Sequence, residues 1–511
     1  MFDDKDPSRI INYRPLLIAA AGVIAGTALC EAMLGLSLKE GWFIAAISAL
    51  VVLTCAIAAY SFIKGKKAAF VFIAAFLIAF ARMAVAAPAH IEAGEYDVSG
   101  VVSEISDTKT NVVTVSDVRL NGRRLDYKLK LTLSSQEEVL SVGCGIEARC
   151  YVSEPVKVFG SYNERLSLLS NGISVKGECA SAEIVSRNRL PVKQWLLSVK
   201  EAIRNRIYYL FPENAPIAAG FLLGDRSGID ETDQDSFLAT GTAHILSLSG
   251  FHVGILTAVL FFLLPKRSPL LRFTVIGLFL LCYCAITAFS ASLVRASVMC
   301  MCFLLADLTR DRRDPLSSLS LAAIIILLVS PYKLWSVGFR LSFAASFGIL
   351  LITAGGGYSS TNRIWRKLSS GLIVTAAATA ATALISAQYF HTFPTYGILA
   401  NAAVVPIFSA AITLSFAATL IGIPFPAAGK ILAFAPDKLI GFAMLILQKI
   451  RALPYSQLNV ISPSTLSGIL MLLLMFAISP YILRPMKTRL KVFLGVFLVF
   501  TASVIADIIR A

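Results

Sequence analysis

Charge is scarce in this sequence. Asp, Glu, Lys and Arg make up 15% of its 511 residues, against about 25% in a soluble chain. That shortfall excludes a wholly soluble domain. Histidine is scarcer still, with four in all and no HxHxDH run, so a histidine-rich metal centre is excluded. No GxxxxGK[ST] run occurs, which excludes a phosphate-loop motor within the sequence. Acidic residues are the minority among the charges, 31 against 46 basic.

What is abundant is apolar sequence. Hydrophobic residues reach 57% and the mean hydropathy is +0.74. Apolar runs fall near 16–36, 42–63 and 68–88. After a polar stretch of 90–215 they resume near 244–264, 270–289, 291–308, 317–330, 336–354, 370–390, 397–421, 432–450, 465–483 and 490–509. The expected fold class is a polytopic α-helical membrane protein of about 11–13 transmembrane helices. Segment 215–223 and the Pro406 region are candidates for re-entry rather than crossing. The first run, Leu16 to Leu36, has spanning length rather than the short apolar core of a cleaved signal peptide.

Lys and Arg in short loops set the expected orientation. Lys64, Lys66 and Lys67; Lys266, Arg267 and Arg272; Arg310, Arg312 and Arg313; Arg363, Arg366 and Lys367; and Arg484, Lys487, Arg489 and Lys491 all fall on one side if the runs alternate. That side is the cytoplasm. The N-terminus is then inside and residues 91–215 are periplasmic. The net charge of +15 invites a nucleic-acid reading, but residues 92–190 hold 12 Lys and Arg against 14 Asp and Glu. The excess is mostly the inside bias of a membrane protein.

From Tyr96 the period changes to two. YDVSGVVSEI, NVVTVSDVRL, KLKLTLS, IEARCYVSE and GISVKGECASAEIV read as strands, with a turn at NGRR and a helical ERLSLLSNG before the last of them. A small β-barrel inserted after the third helix is expected, OB-like by size. Cys150 and Cys179 in successive strands form a candidate disulfide, with Cys144 as competitor and three free thiols as the alternative. The CxC pairs Cys282/Cys284 and Cys300/Cys302 read as small core residues. Residues 191–215 hold an amphipathic helix, with Trp195, Leu196, Val199, Ile203, Ile207 and Leu210 on one side. It suits a membrane surface or a packed collar. The expected division is 1–90 for the first spans, 91–190 for the barrel, 191–215 for this helix and 216–511 for the remaining spans.

Residues 241–256, GTAHILSLSGFHVGIL, place His244, Ser249, Gly250 and His252 in apolar surroundings. On a continuous helix, His244, Leu248 and His252 share one face. Alternatively Ser249 and Gly250 break the helix. Three readings compete: interhelical hydrogen bonding, a pore lining, and a metal or acid–base site with Asp225. Two histidines lack the third ligand that a catalytic zinc needs.

GFLLGDRSGIDETDQDSFLATGTAHILSLSGFHVGIL at 220–256 resembles the signature of the ComEC competence family. The pattern is matched at Gly224, Asp225, Arg226, Ser227, His244, Ser249, Gly250, His252, Val253 and Gly254. SASLVRASVM resembles a further segment at Ser290, Ser292 and Arg295, and DPLSSLSLAA another at Asp314, Pro315 and Leu316. GFRLSFAASFGIL resembles a third at Gly338, Phe339, Leu341, Ser342 and Phe343, and GILANAAVVP a fourth at Asn401 and Pro406. Leu248 and Phe251 replace the usual Ile and Leu, Arg340 the usual Gln, and Ser317 or Ser318 the usual Asn.

The resemblance implies an inner-membrane channel passing single-stranded DNA into the cytoplasm during natural transformation. It implies no cofactor and no catalytic residue. Many members carry a C-terminal metallo-β-lactamase-like domain, and here the sequence closes at Ala511 without its motifs. A short form is therefore expected, with a separate nuclease, a separate periplasmic DNA receptor, a cytoplasmic motor or strand-binding protein, and a homo-oligomer as an option. With the orientation above, His244, His252, Arg295, Arg340, Arg82 and Asn401 gather at one outer level, where arginines suit phosphate or snorkel to headgroups. The competing function is a membrane-embedded enzyme acting on a lipid-linked or cell-wall substrate at the outer face.

Overall fold

Period-two alternation and long apolar runs sort the chain into two kinds of element. The computed structural model describes them over residues 14–35, 67–107, 112–134, 141–155, 163–186, 190–246, 248–265, 268–353, 363–460, 464–479 and 486–510. Helices α1 (Pro15–Gly35) and α2 (Lys67–Val85) precede the strands. Helix α3 (Glu164–Ser170) interrupts the strands, and α4 (Pro191–Leu210), α5 (Ala215–Leu223) and α6 (Glu231–Ala239) follow them. The helical part continues with α7 (Gly250–Leu263), α8 (Pro269–Ile286), α9 (Ala291–Thr309), α10 (Pro315–Val329) and α11 (Val337–Thr353). It closes with α12 (Arg363–Phe390), α13 (Gly397–Gly422), α14 (Pro426–Arg451), α15 (Thr465–Ile478) and α16 (Met486–Arg510).

Among the described residues seven helices are long and apolar enough to cross a membrane: α1, α2, α8, α9, the Gly371–Phe390 part of α12, α13 and α14. Shorter apolar helices, including α7, α10 and α11, cover other expected runs. The run expected at 42–63 lies outside the described residues. The expected re-entrant segment at 215–223 is α5, nine residues long. The run expected to begin at His244 begins instead as a helix at Gly250. Prolines stand inside α13 at Pro406 and inside α14 at Pro436.

The contacts divide the chain into two units, one of residues 18–201 and 324–336 and one of 1–17, 202–323 and 337–511. The first contains the strands β1 (Gly94–Asp107), β2 (Val112–Leu120), β3 (Arg123–Arg124), β4 (Lys128–Leu133), β5 (Gly145–Ser153), β6 (Ile173–Cys179) and β7 (Glu183–Ser186). Strand β1 is long enough to pair with β2 over one stretch and β5 over another, so the order β1-β2-β4-β6-β5 returns to β1 and closes a five-stranded barrel. Strands β4 and β6 run parallel, while the other barrel pairs are antiparallel. Alternate residues fill the interior, among them Val98, Val102, Val115, Leu129, Leu131, Ile146, Val152 and Val175. The NGRR turn joins β2 to β3, and the Asn121 side chain accepts the Asp97 N–H at 2.9 Å. Asn163 opens α3 by accepting the Leu166 N–H at 3.1 Å.

Strands β5 and β6 pair Tyr151 with Glu178, so the next step sets Cys150 beside Cys179. Both are buried, both are free thiols, and a thiol hydrogen bond joins them. That bond and burial push the Cys150 thiol up. We expect oxidation to link this pair rather than Cys144, whose sulfur instead lies 3.1 Å from the Ser141 hydroxyl. A bridge closing a loop of about 30 residues contributes roughly 3 kcal/mol in the chain-entropy model. Mass mapping of protein made in an oxidising compartment checks this; Cys150 alkylated without reductant sinks it.

Arg82, near the end of α2, donates to the carbonyls of Leu328 and Val329 at 3.0 and 3.1 Å. Those are terminal acceptors of α10, so the guanidinium satisfies a helix end. Helix α4 runs from the barrel unit into the other, and Ile207 and Leu210 are its buried residues, whereas Trp195 is 64% exposed. Of the first CxC pair only Cys284 is a core residue, 3.5 Å from the Ser297 hydroxyl, while Cys282 is exposed. Residues two apart on a helix face different ways.

Candidate functional site

Helix α5 stops where the backbone turns left-handed. Gly224 has φ +71°, and a Cβ there would stand 2.9 Å from a Leu248 methyl, so both the backbone and the space require glycine. The next residues tie the turn down. Asp225 accepts the Ser227 N–H at 3.2 Å and its hydroxyl at 2.7 Å, with Arg204 at 3.5 Å. The Arg226 Nε donates to the Leu246 carbonyl at 3.4 Å. The GDRS run therefore holds the segment that leads into α7.

That segment is not helical. His244 sits in a short 3-10 turn, Ala243–Ile245, and is exposed. Ser249 is extended, with φ −120° and ψ 172°, and α7 starts after it. The reading in which His244, Leu248 and His252 share one continuous helical face is thereby corrected. Ser249 and Gly250 break the helix because serine competes for local hydrogen bonds and glycine weakens helix.

His252, 2% exposed, turns its ring back on this break. Its Nδ1 accepts the Ser249 N–H at 3.2 Å and lies 3.0 Å from the Ser249 hydroxyl. An Nδ1 that accepts carries no proton, so in the neutral ring Nε2 bears it. That Nε2 is buried and has no hydrogen-bond partner among the described residues.

Arg295 reaches the same place from α9. A Cβ on Gly250 would stand 3.0 Å from Arg295 Nη2 and 3.6 Å from the Ala296 Cβ. Glycine at 250 is what lets the guanidinium lie against the first turn of α7. The Arg295 Nη1 donates to the Ser342 carbonyl of α11, and its guanidinium carbon lies 5.9 Å from the Phe343 ring centroid. Its Nε is buried without a hydrogen-bond partner among the described residues. Arg295 is 6% exposed, and among the described residues no carboxylate pairs with it.

The structure thus brings together Ser249, Gly250, His252, Arg295 and Ser342, with Phe343 beside them. Other expected residues do separate work. Arg82 belongs to the barrel unit and caps α10. Asp314 and Pro315 open α10: the carboxylate accepts the Leu316 N–H at 3.3 Å and the Ser317 hydroxyl at 2.7 Å, and Arg14 lies at 3.4 Å. The Arg340 guanidinium carbon is 5.9 Å from the Tyr389 ring centroid. Asn401 donates to the Gly397 carbonyl at 2.7 Å and keeps a buried Oδ1 with no hydrogen-bond partner among the described residues.

The cluster is rich in donors and short of negative charge. A helix start carries unsatisfied N–H groups and the positive end of the helix dipole. A guanidinium packed there is on the electrostatically wrong side, and burying it without a counter-charge costs several kcal/mol. Each unpartnered buried donor adds about 1–3 kcal/mol. An anion would offset all three. Among the described residues no three His, Cys, Asp or Glu side chains group as a metal site.

Sequence reasoning missed Asp437. It is 4% exposed and accepts the Asn214 N–H at 3.1 Å, the Asn214 side chain at 2.9 Å and the Glu213 N–H at 3.4 Å. This joins α14 to the start of α5. The signal was available: a single carboxylate, after Pro436, in a helix whose other charged residues, Lys430, Lys438, Lys449 and Arg451, are all basic.

A family model described as Competence protein matches residues 221–485, more than half of the chain. Over 238 residues the chain is 29% identical to ComE operon protein 3 of Bacillus subtilis (strain 168), covering 45% of this chain and 29% of that one. Over 203 residues it is 26% identical to Recombination protein 2 of Haemophilus influenzae, covering 38% and 25%. Over 182 residues it is 29% identical to an uncharacterized protein of Aquifex aeolicus, covering 33% and 43%. The chain thus spans less than half the length of each of these relatives. No solved structure matches.

Proposed function

We propose, because this chain belongs to the competence protein family, that it carries a single DNA strand across the inner (plasma) membrane into the cytoplasm during natural transformation. The carrying observation is the buried, uncompensated donor cluster of His252 and Arg295 at the start of α7. A phosphodiester offers charged acceptor oxygens at every nucleotide, and a fork-shaped guanidinium suits them. A passing strand must be held weakly at several places, so a cluster built from two donors and a helix start fits better than a deep anion cage. In this reading His244, Ser249, Gly250, His252, Arg295, Arg340 and Asn401 line the route. Arg82 does not, since its guanidinium is used on α10. The barrel is OB-like, a fold that handles single strands, and residues 91–190 guide the strand. A separate receptor, nuclease and motor serve the other steps.

His252 supplies the test. His252→Ala removes both ring nitrogens and is expected to lower uptake of labelled DNA into the cytoplasm about tenfold or more, the worth of one buried hydrogen bond. His252→Gln keeps a donor and an acceptor and restores part of it. Membrane levels of both variants are measured alongside. Normal levels with wild-type uptake in His252→Ala defeat the proposal; loss of the protein from the membrane assigns the ring to packing.

The orientation is tested separately. With residues 91–215 periplasmic and the N-terminus inside, Asn121→Cys reacts with an impermeant thiol reagent in intact spheroplasts and Ser268→Cys does not. The reverse pattern overturns the orientation.

A further inference from the structure

The barrel unit contains a cavity of about 530 Å³ that the transport reading does not use. Its wall begins at the end of α2 and continues through the β3–β4 connection, the turn after α3 and the residues that follow α10. Two Tyr–Lys pairs meet there, Tyr127–Lys128 at the start of β4 and Tyr332–Lys333 after α10. The two tyrosine rings stand edge to face at 6.5 Å, and Trp335 lies 6.2 Å beyond Tyr332.

The charges in the wall are unequal. Lys128, Lys333, Arg82 and Arg124 face one acid, Asp126. Arg82 is committed to α10 carbonyls and Arg124 pairs with Asp117 at 3.1 Å. Among the described residues neither lysine has a carboxylate partner. Burial, and after it the charge of Lys128, holds the Lys333 amine below its ordinary value. Two half-buried ammonium groups that repel each other are stabilised by an anion between them.

The lip of the cavity is apolar. Val85 and Val329 end α2 and α10, both line the cavity, and they are 82% and 69% exposed. Helix α2 is a membrane-spanning candidate, so this lip stands where a span leaves hydrocarbon. Tyr, Trp and Lys at such a level mark the headgroup zone. A basic interior behind a greasy lip fits a phosphate attached to acyl chains better than free phosphate.

We propose that this cavity binds the phosphate of an anionic phospholipid headgroup through Lys128 and Lys333, with the acyl chains leaving past Val85 and Val329. The site does not depend on the transport route, and its test does not read DNA uptake.

The test uses the full chain purified in detergent and follows thermal unfolding as phosphatidylglycerol, phosphatidylcholine, inorganic phosphate or a thymidine oligomer is added. Phosphatidylglycerol is expected to raise the midpoint and the other three to leave it unchanged at equal concentration. The paired change Lys128→Gln and Lys333→Gln should weaken apparent phosphatidylglycerol affinity at least tenfold, while Arg149→Gln, at an exposed ion pair with Glu95 on the barrel, leaves it unchanged. Asp126→Asn removes the one acid in the wall and should tighten binding severalfold, which keeps the test decisive if the lysine pair folds poorly. Unaltered affinity in both the lysine pair and Asp126→Asn overturns the proposal. So does an equal response to inorganic phosphate, or a response to the oligomer with none to the lipid.

Discussion

Arg295→Gln is expected to accumulate in the membrane at the wild-type level and to deliver labelled DNA to the cytoplasm roughly 10- to 100-fold less well. The magnitude is that of a hydrogen bond to a charged group, about 1.5–3 kcal/mol, with each 1.4 kcal/mol a factor of ten. Folding should survive because the change removes a buried cation that lacks a carboxylate, which offsets the lost bond to the Ser342 carbonyl. Arg295→Lys keeps the charge and loses the fork, so delivery falls by about tenfold. Binding of DNA to the cell exterior is measured in the same cells and should not change. If Arg295→Gln takes up DNA like wild type, the guanidinium is a packing group. If both variants disappear from the membrane, its bond to α11 is the reason it is there.

Asp437→Ala should have the largest effect on stability. The substitution strands the Asn214 N–H and the Glu213 N–H at the start of α5, and the Asn214 amide keeps only its bond to the Asp437 carbonyl at 2.9 Å. Two stranded donors at about 1–3 kcal/mol each, with the lost amide–carboxylate bond, give a loss of roughly 3 kcal/mol or more. That is a large fraction of ordinary stability, so the variant should be degraded, or unfold many degrees lower in detergent. Asp437→Asn retains an acceptor at Oδ1 and should recover part of the loss. An Asp437→Ala protein with wild-type abundance and unfolding temperature refutes this account. Because α5 runs into the GDRS turn, a partly stable variant should also lose DNA uptake, and Asn214→Ala should do the same.

The spans were legible because a lipid-facing helix needs length and apolarity, and both are local properties. Thus 270–289 and 397–421 reappear as α8 and α13 almost residue for residue. The strands were legible for the same reason: Val113, Val115, Leu129 and Leu131 alternate inward as period two requires. The barrel was expected from the number and spacing of the strands, but which strands close it was not legible, since β1 meets β5 by a long-range pairing that no local pattern encodes. Nor was the role of Arg82. A guanidinium in a span reads as a site, and its carbonyl partners lie on a helix far along the chain. Whether His244 and His252 share a helical face or are separated by a break at Ser249 and Gly250 could not be decided from spacing, and the structure shows the break. The cluster of Gly250 with Arg295 was half visible: both stood in matched motifs, but only the structure shows that the missing Cβ makes room for the guanidinium.

The bond from Arg82 to Leu328 joins residues 246 apart in the chain, and the unit that holds the barrel is completed by residues 324–336. During synthesis the barrel strands therefore emerge well before the last piece of their own unit. From Ser186, the end of the last strand, to residue 324 is 138 residues (324 − 186), which at about 5–20 residues per second takes on the order of 7–28 s. A five-stranded barrel closes far faster than that. The nascent protein must pass through a stage in which the barrel is formed, the α2 guanidinium lacks its acceptors, and the wall contributed by Pro331 and Tyr332 is absent. Ribosome stalling short of residue 324 would trap this intermediate, and protease accessibility near Arg82 and Tyr127 would report how long it waits.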